Sequence, residues 1–134
     1  MDPDVARRRV AGAMIGRLAT TTASGDPHVV PCCFALLDGI LYSAVDSKPK
    51  STQRLKRLAN IEANPRTAFL VDNYEDDWTK LWWVRVDGTA RLVEDHPERN
   101  VALSSLAAKY RQYIDQPPTG PVLAIDIESW ASWP

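Results

Sequence analysis

Residues that build metal and redox centres are scarce: two cysteines and two histidines occur in 134 residues. The cysteines are adjacent, Cys32-Cys33. Neighbours on an extended strand point to opposite faces, so these two are not expected to pair with each other. His28 and His96 complete no metal-like spacing with them, and no metal site is expected. The cysteine usage fits a reduced, cytoplasmic protein with small buried thiols. No apolar run approaches the roughly 20 residues of a membrane-spanning helix, so no membrane partner is expected. The start of the chain, MDPDVARRRVAGAMIGR, has no long apolar stretch and no cleavage site, which argues against a secretory signal. Internal repeats and low-complexity tracts are absent. So are a phosphate-binding P-loop, a paired-carboxylate pattern and a nucleophile-base pairing. Without acid-base machinery of its own, any chemistry is expected to belong to a bound cofactor.

What is present describes a single globular domain spanning residues 1–134, 45% hydrophobic and 25% charged, which excludes a disordered or fibrous chain. The net charge of −1 conceals an uneven distribution. Residues 48–66, KPKSTQRLKRLANIEANPR, hold six basic residues and one acidic, whereas the remainder carries 10 basic and 16 acidic. An anionic partner is expected at that stretch. Ser51 or Thr52 can cap a helix that Asn64-Pro65 stops. On it Lys50, Arg54 and Arg57, at i, i+4 and i+7, share one stripe, flanked by Lys48 and Lys56, while Leu55, Leu58 and Ile61 form an inward one. Backbone N–H groups at the helix start, the two hydroxyls and the arginine forks would suit a phosphate. A merely solvated basic face is the plainer alternative. Nucleic acid is disfavoured by the acidic remainder and by the lack of any reader signature.

Around this segment the pattern alternates between strands and helices. Asp4 can cap a first helix through Met14, with Val5, Val10 and Met14 on its apolar side. Strands are expected at 18–23, 28–36, 40–45, 67–73, 80–92 and 122–127. A turn at 24–27 and a hairpin at Asp38-Gly39 separate the first three. Pro31 warns of an edge or bulge, and Asp87-Gly88 of a bend in the fifth strand. Asp95, with Pro97 and Glu98, forms a capping box for a helix to about Tyr113. Six strands and three helices in hairpin-rich order predict an α+β fold, a mainly antiparallel split β-barrel with peripheral helices.

Tryptophan is the second signal, at positions 78, 82, 83, 130 and 133. Trp82 and Trp83 are neighbours on a strand, so one faces inward and the other outward. Trp82 is read as packed, and an outward tryptophan suggests a subunit interface or a flat ligand. Trp130 and Trp133 follow the last expected strand and are read as a barrel plug or dimer seam.

The order Arg17-Leu18-Ala19-Thr20, Gly25-Asp26-Pro27-His28-Val29-Val30-Pro31, Asn60-Ile61-Glu62-Ala63-Asn64-Pro65-Arg66 and Leu81-Trp82-Trp83-Val84-Arg85-Val86-Asp87-Gly88-Thr89-Ala90 resembles the split-barrel flavin-binding family related to pyridoxamine phosphate oxidase. More narrowly it resembles the actinobacterial branch that uses the deazaflavin coenzyme F420. The resemblance, over about residues 14–130, implies a six-stranded split barrel, a homodimer, and a cofactor in a groove at the subunit interface. It also implies a phosphate held by Arg57 with Lys56 beside it. Lys50, Ser51 and Thr52 join these from the helix-start reasoning. The ring system is placed along the second strand near His28, Pro31 and Cys32, and Trp83 matches an aromatic position contributed across the dimer. The implied activity is an oxidoreductase passing hydride from reduced F420 to a small organic acceptor. An FMN enzyme of the same fold and a non-catalytic deazaflavin carrier are the alternatives.

Overall fold

Burial alternates residue by residue along most extended segments, and these segments pair into one antiparallel sheet. The computed structural model describes residues 1–44, 52–94 and 96–134, with 52–55 described in their backbone alone. In chain order these are α1 (Pro3–Gly12), β1 (Gly16–Thr21), β2 (Pro27–Cys32), β3 (Ala35–Leu37), β4 (Ile40–Ala44) and α2 (Thr52–Ala63). Then come β5 (Arg66–Asn73), β6 (Trp82–Val93), α3 (Pro97–Lys109), α4 (Gln112–Asp115) and β7 (Val122–Trp133). The strand order is β2-β1-β5-β6-β7-β4-β3.

The two edge strands of that sheet, β2 and β3, are consecutive in the chain and joined only by Cys33 and Phe34. Such a link spans roughly 11 Å at most. The sheet therefore curls until its edges almost meet, giving an α+β half-barrel with helices packed on it. There are seven strands rather than the expected six, because the segment 28–36 breaks at Cys33-Phe34 into β2 and β3. The break follows from hydrogen bonding: Phe34 bonds its backbone to the Tyr110 hydroxyl on the α3 side rather than to a neighbouring strand.

The interior is filled from both halves of the sheet by Leu18, Phe34, Leu41, Phe69, Val84, Val86, Leu123 and Ile125. Phe34 and Phe69 meet edge to face with centroids 4.8 Å apart, a favoured arrangement for aromatic quadrupoles. The Asp38-Gly39 hairpin has positive φ at both residues, 48° and 78°, as the expected primed turn requires. The anticipated irregularity at Asp87/Gly88 is a β-bulge against β7, where a side chain on Gly88 would run into the Asp126 carbonyl.

Three local expectations change. Asp2, not Asp4, caps α1, accepting from the Asp4 N–H at 2.8 Å, and Ala6 and Val10 are its buried residues. Met14 lies beyond the helix and is exposed. β7 runs on to Trp133, past the expected end at Ile127, so Trp130 and Trp133 belong to a strand rather than a trailing plug. Their surroundings differ accordingly: Trp130 packs against the core, while Trp133 pairs in register with Trp83.

The capping box of α3 is also replaced. Asp95 lies outside the described residues, and His96 caps the helix, its Nδ1 accepting from the Glu98 N–H at 3.0 Å. The Glu98 carboxylate is taken instead by Arg91 Nη1 and Nη2 at 2.7 and 2.8 Å, and by the Tyr42 hydroxyl, which donates at 2.7 Å. A bidentate charged pair outcompetes a single bond to a backbone N–H. Arg91 also reaches Asp126 on β7 through Nε at 2.7 Å, tying α3 to the sheet. The Arg91 bonds, then the Tyr42 bond, hold the Glu98 carboxyl down to about 2. A carboxyl depressed in the folded state stabilises the protein above its unfolded value and loses that contribution as pH falls. Glu98→Gln should therefore melt below the parent at neutral pH, with the gap narrowing from about pH 5 and closing near pH 2. Parallel melting curves across that range would test this, and a constant gap would remove the linkage.

Candidate functional site

Helix α2 is tied to β1 and β2 by polar contacts spaced three and four residues apart on one face. Arg57 Nη1 lies 3.3 Å from Cys32 Sγ, Asn60 Nδ2 donates to Thr20 Oγ1 at 3.3 Å, and Asn64 Nδ2 donates to Thr21 Oγ1 at 2.7 Å. Asn60 and Ile61 are buried and Leu58 is half-buried, so the inward face of the helix mixes apolar and polar residues. Arg57, expected on an outward basic stripe, is half-buried with its guanidinium turned onto Cys32. Lys56 beside it is exposed. Lys48, Lys50 and Ser51 lie outside the described residues. Thr52 is the first residue of α2, with its side chain likewise outside them.

The Cys32–Arg57 contact leaves the guanidinium short of partners. Burial pushes the Cys32 thiol up, against the pull of the nearby Arg57 charge, so the sulfur stays protonated and is a weak acceptor. No ion pair among the described residues involves Arg57. Its Nε is buried and finds no acceptor among them. A half-buried guanidinium whose buried Nε has no acceptor among the described residues is under-satisfied. An anionic group placed against it would supply both the charge and the acceptor. The donor set thus fits the phosphate end of a flavin-type cofactor.

The period of β2 sorts the remaining candidates. His28, Val30 and Cys32 share the more buried face, while Pro27, Val29 and Pro31 are exposed. Pro31 is therefore turned away from His28 and Cys32, and the three cannot present side chains to one face of a ring. Trp83 follows the same rule on β6. Trp82 packs toward the core with Val84, and Trp83 lies on the outer face with Arg85. The pair alternates as the sequence reading has it, although Trp82, half-buried against the core, also reaches the groove on the outer face.

The outer face holds an open groove of about 880 Å³. Its floor is Ala19, Ala68 and Leu70, its wall is Trp83 and Trp133, and Trp78 and Tyr74 stand at its margin, 71% and 75% exposed. Its charges cancel in pairs: Arg17 to Asp72 at 2.9 Å and Arg85 to Asp87 at 2.9 Å. Neither Cys32 nor Arg57 lines it. The anion-suited guanidinium is thus not one of the groups that line the aromatic groove. The sequence reading missed the groove floor because small and medium apolar residues on a strand read as ordinary core. Asn60 and Asn64 read in sequence as part of a motif and as a helix stop, although their spacing with Arg57 carries the signal of a polar helix face. Among the described residues no helix is long and apolar enough to cross a membrane, and no three potential metal ligands come together.

Comparison with known proteins adds a family and a set of folds. The family model described as pyridoxamine 5'-phosphate oxidase matches residues 3–134. A conserved hypothetical protein of Mycobacterium tuberculosis is 22% identical with a TM-score of 0.81, the match covering 99% of this chain and 84% of that one. An FAD-binding protein of Mesorhizobium loti is 22% identical with a TM-score of 0.76, covering 98% and 92%. The heme storage protein HutZ of Vibrio cholerae is 18% identical with a TM-score of 0.75, covering 98% and 92%. At these identities the likeness is one of fold. Among curated proteins there is no match.

Proposed function

Because the chain belongs to the pyridoxamine 5'-phosphate oxidase family, we propose that it is an oxidoreductase that binds the deazaflavin coenzyme F420 and uses it to reduce a small organic acceptor. The observation that carries this reading is the half-buried Arg57, whose buried Nε has no acceptor among the described residues. The reading is strengthened by the excess of basic residues over 48–66. An anionic tail of several charges accounts for that excess better than a single phosphate does. When bound, the reduced coenzyme supplies a hydride. The chain's part is to hold the anionic end at Arg57, to align the ring, and to keep water from it with apolar walls.

The site is completed by a second copy of the chain. Arg57 does not line the groove that Trp83 walls, and on this reading one ligand reaches both by taking the tryptophan from a partner. The outer face suits such pairing. It is a largely apolar open groove, and the two arginines and two aspartates on that face balance one another. That is the charge pattern of a self-complementary two-fold interface rather than of a surface for a strongly charged partner.

A flavin nucleotide is the second reading, favoured by the FAD-binding relative of the same fold. Side-by-side titrations of the purified protein with F420, FMN and hemin test the assignment. Tight F420 binding with FMN weaker by an order of magnitude or more is expected, with reduction of an enone or quinone acceptor by the reduced coenzyme. Preference for FMN would replace the first reading with the second. Preference for hemin would overturn both.

A further inference from the structure

The half-barrel is open only between β2 and β3, and the break there is held from outside the sheet. Phe34 donates its N–H to the Tyr110 hydroxyl at 3.0 Å. The same hydroxyl lies 3.0 Å from the Phe34 carbonyl and 3.0 Å from the Met14 carbonyl, at the link into β1. Lys109 donates from Nζ to the Phe34 carbonyl at 2.9 Å, and its ammonium sits 3.7 Å above the Phe34 ring and 5.3 Å from that of Tyr110. On the inner side Ser43 Oγ donates to the Cys33 carbonyl at 2.8 Å. The last residue of α3 and its C-cap thus serve both backbone groups of a residue that has no ladder partner.

An apolar side chain could fill the space of Lys109, but it could not bind a carbonyl. The need for that bond lies in register. Side chains alternate across a strand, so sliding an edge strand by one residue would exchange its two faces. In β2 that exchange would turn Cys32 away from Arg57 and bring Pro31 in. We infer that Lys109 and Tyr110 are positioning residues that pin the β2–β3 break, so that Cys32 and the adjoining strand edge face Arg57. The inference rests on the reading of Arg57 as the anion anchor only for its consequence on binding. The pin is a property of the unliganded chain.

The test separates the two. In a Cys33→Ser background, Cys32 is the only thiol, and its rate with a small disulfide reagent reports its burial. The expected rate is slow in that parent and at least tenfold faster in Lys109→Met/Tyr110→Phe, with Lys109→Arg restoring protection when Tyr110 is kept. Far-ultraviolet circular dichroism confirms that each variant is folded at the assay temperature. F420 affinity should fall at least tenfold in the double variant and recover in the Lys109→Arg variant. If the double variant does not fold, Tyr110→Phe carries both readouts. A thiol rate unchanged in the folded variants overturns the inference, whatever the affinity does. Failure of the parent to bind either F420 or FMN overturns the anchor reading while leaving the thiol result to decide the pin.

Discussion

Arg57→Ala is expected to weaken F420 binding by roughly 10- to 150-fold. The estimate follows from the ~1.5–3 kcal/mol associated with hydrogen bonds to charged groups, at about 1.4 kcal/mol per factor of ten. The stability of the unliganded chain should change little. Among the described residues the guanidinium hydrogen-bonds to a protonated thiol alone, and its removal deletes a buried donor without an acceptor among them. Arg57→Lys should fall between parent and alanine, because an ammonium keeps the charge but loses the planar fork. Added salt should weaken the parent more than the alanine variant. Fluorescence titrations at low and high ionic strength would measure all of this, and an affinity unchanged by Arg57→Ala would remove the residue from the site.

If the proposed two-fold pairing holds, Leu70→Glu is expected to convert a dimer to a monomer. Leu70 stands in register between Arg17 on β1 and Arg85 on β6, on the outer face of the sheet. In a free subunit a glutamate there would be solvated and flanked by two guanidinium groups, so the fold should persist. Buried face to face with a second copy, it would carry a desolvation cost of several kcal/mol. That cost is comparable to a large part of an interface's net affinity. Sedimentation of parent and variant at the same concentration would show the change. Cofactor binding should be lost with the dimer, because the partner's tryptophan leaves with it. A parent that sediments as a monomer, or a variant that stays dimeric and binds normally, would refute the shared site.

The hairpin at Asp38-Gly39, the bulge at Asp87-Gly88 and the alternation of Trp82 with Trp83 were legible because each depends on local geometry. Two positive φ angles, one extra residue and a period of two leave marks in a short window. The break that separates β2 from β3 left no such mark. Its hydrogen bonds come from Tyr110, distant in the chain, and a continuous apolar run looks the same with or without them. The far end of β7 was hidden for a related reason. Ser129 and Ser132 carry no strand signal of their own, and their pairing with Asp87 and Val84 is imposed by the long partner strand β6, with Glu128 passed over at the bulge. The capping box failed at Glu98 because a residue suited to one local bond was claimed by Arg91 on the sheet.

The basic excess over 48–66 is a matter of composition, and so was visible before any fold was known. So were the α+β character and the pairing of strands into hairpins, since hydrophobic period and turn chemistry act over a few residues. Which basic residue turns inward with an unused donor is not local. Among the described residues Arg57 has a buried Nε without an acceptor, because α2 packs its side chain against a buried thiol. The groove on the outer face exists only because β1, β5, β6 and β7 lie side by side, bringing Leu70, Trp83 and Trp133 together from separate parts of the chain. Long-range pairing left the anchor out of the groove that the aromatic wall lines, and that is what makes a second copy of the chain part of the proposed site.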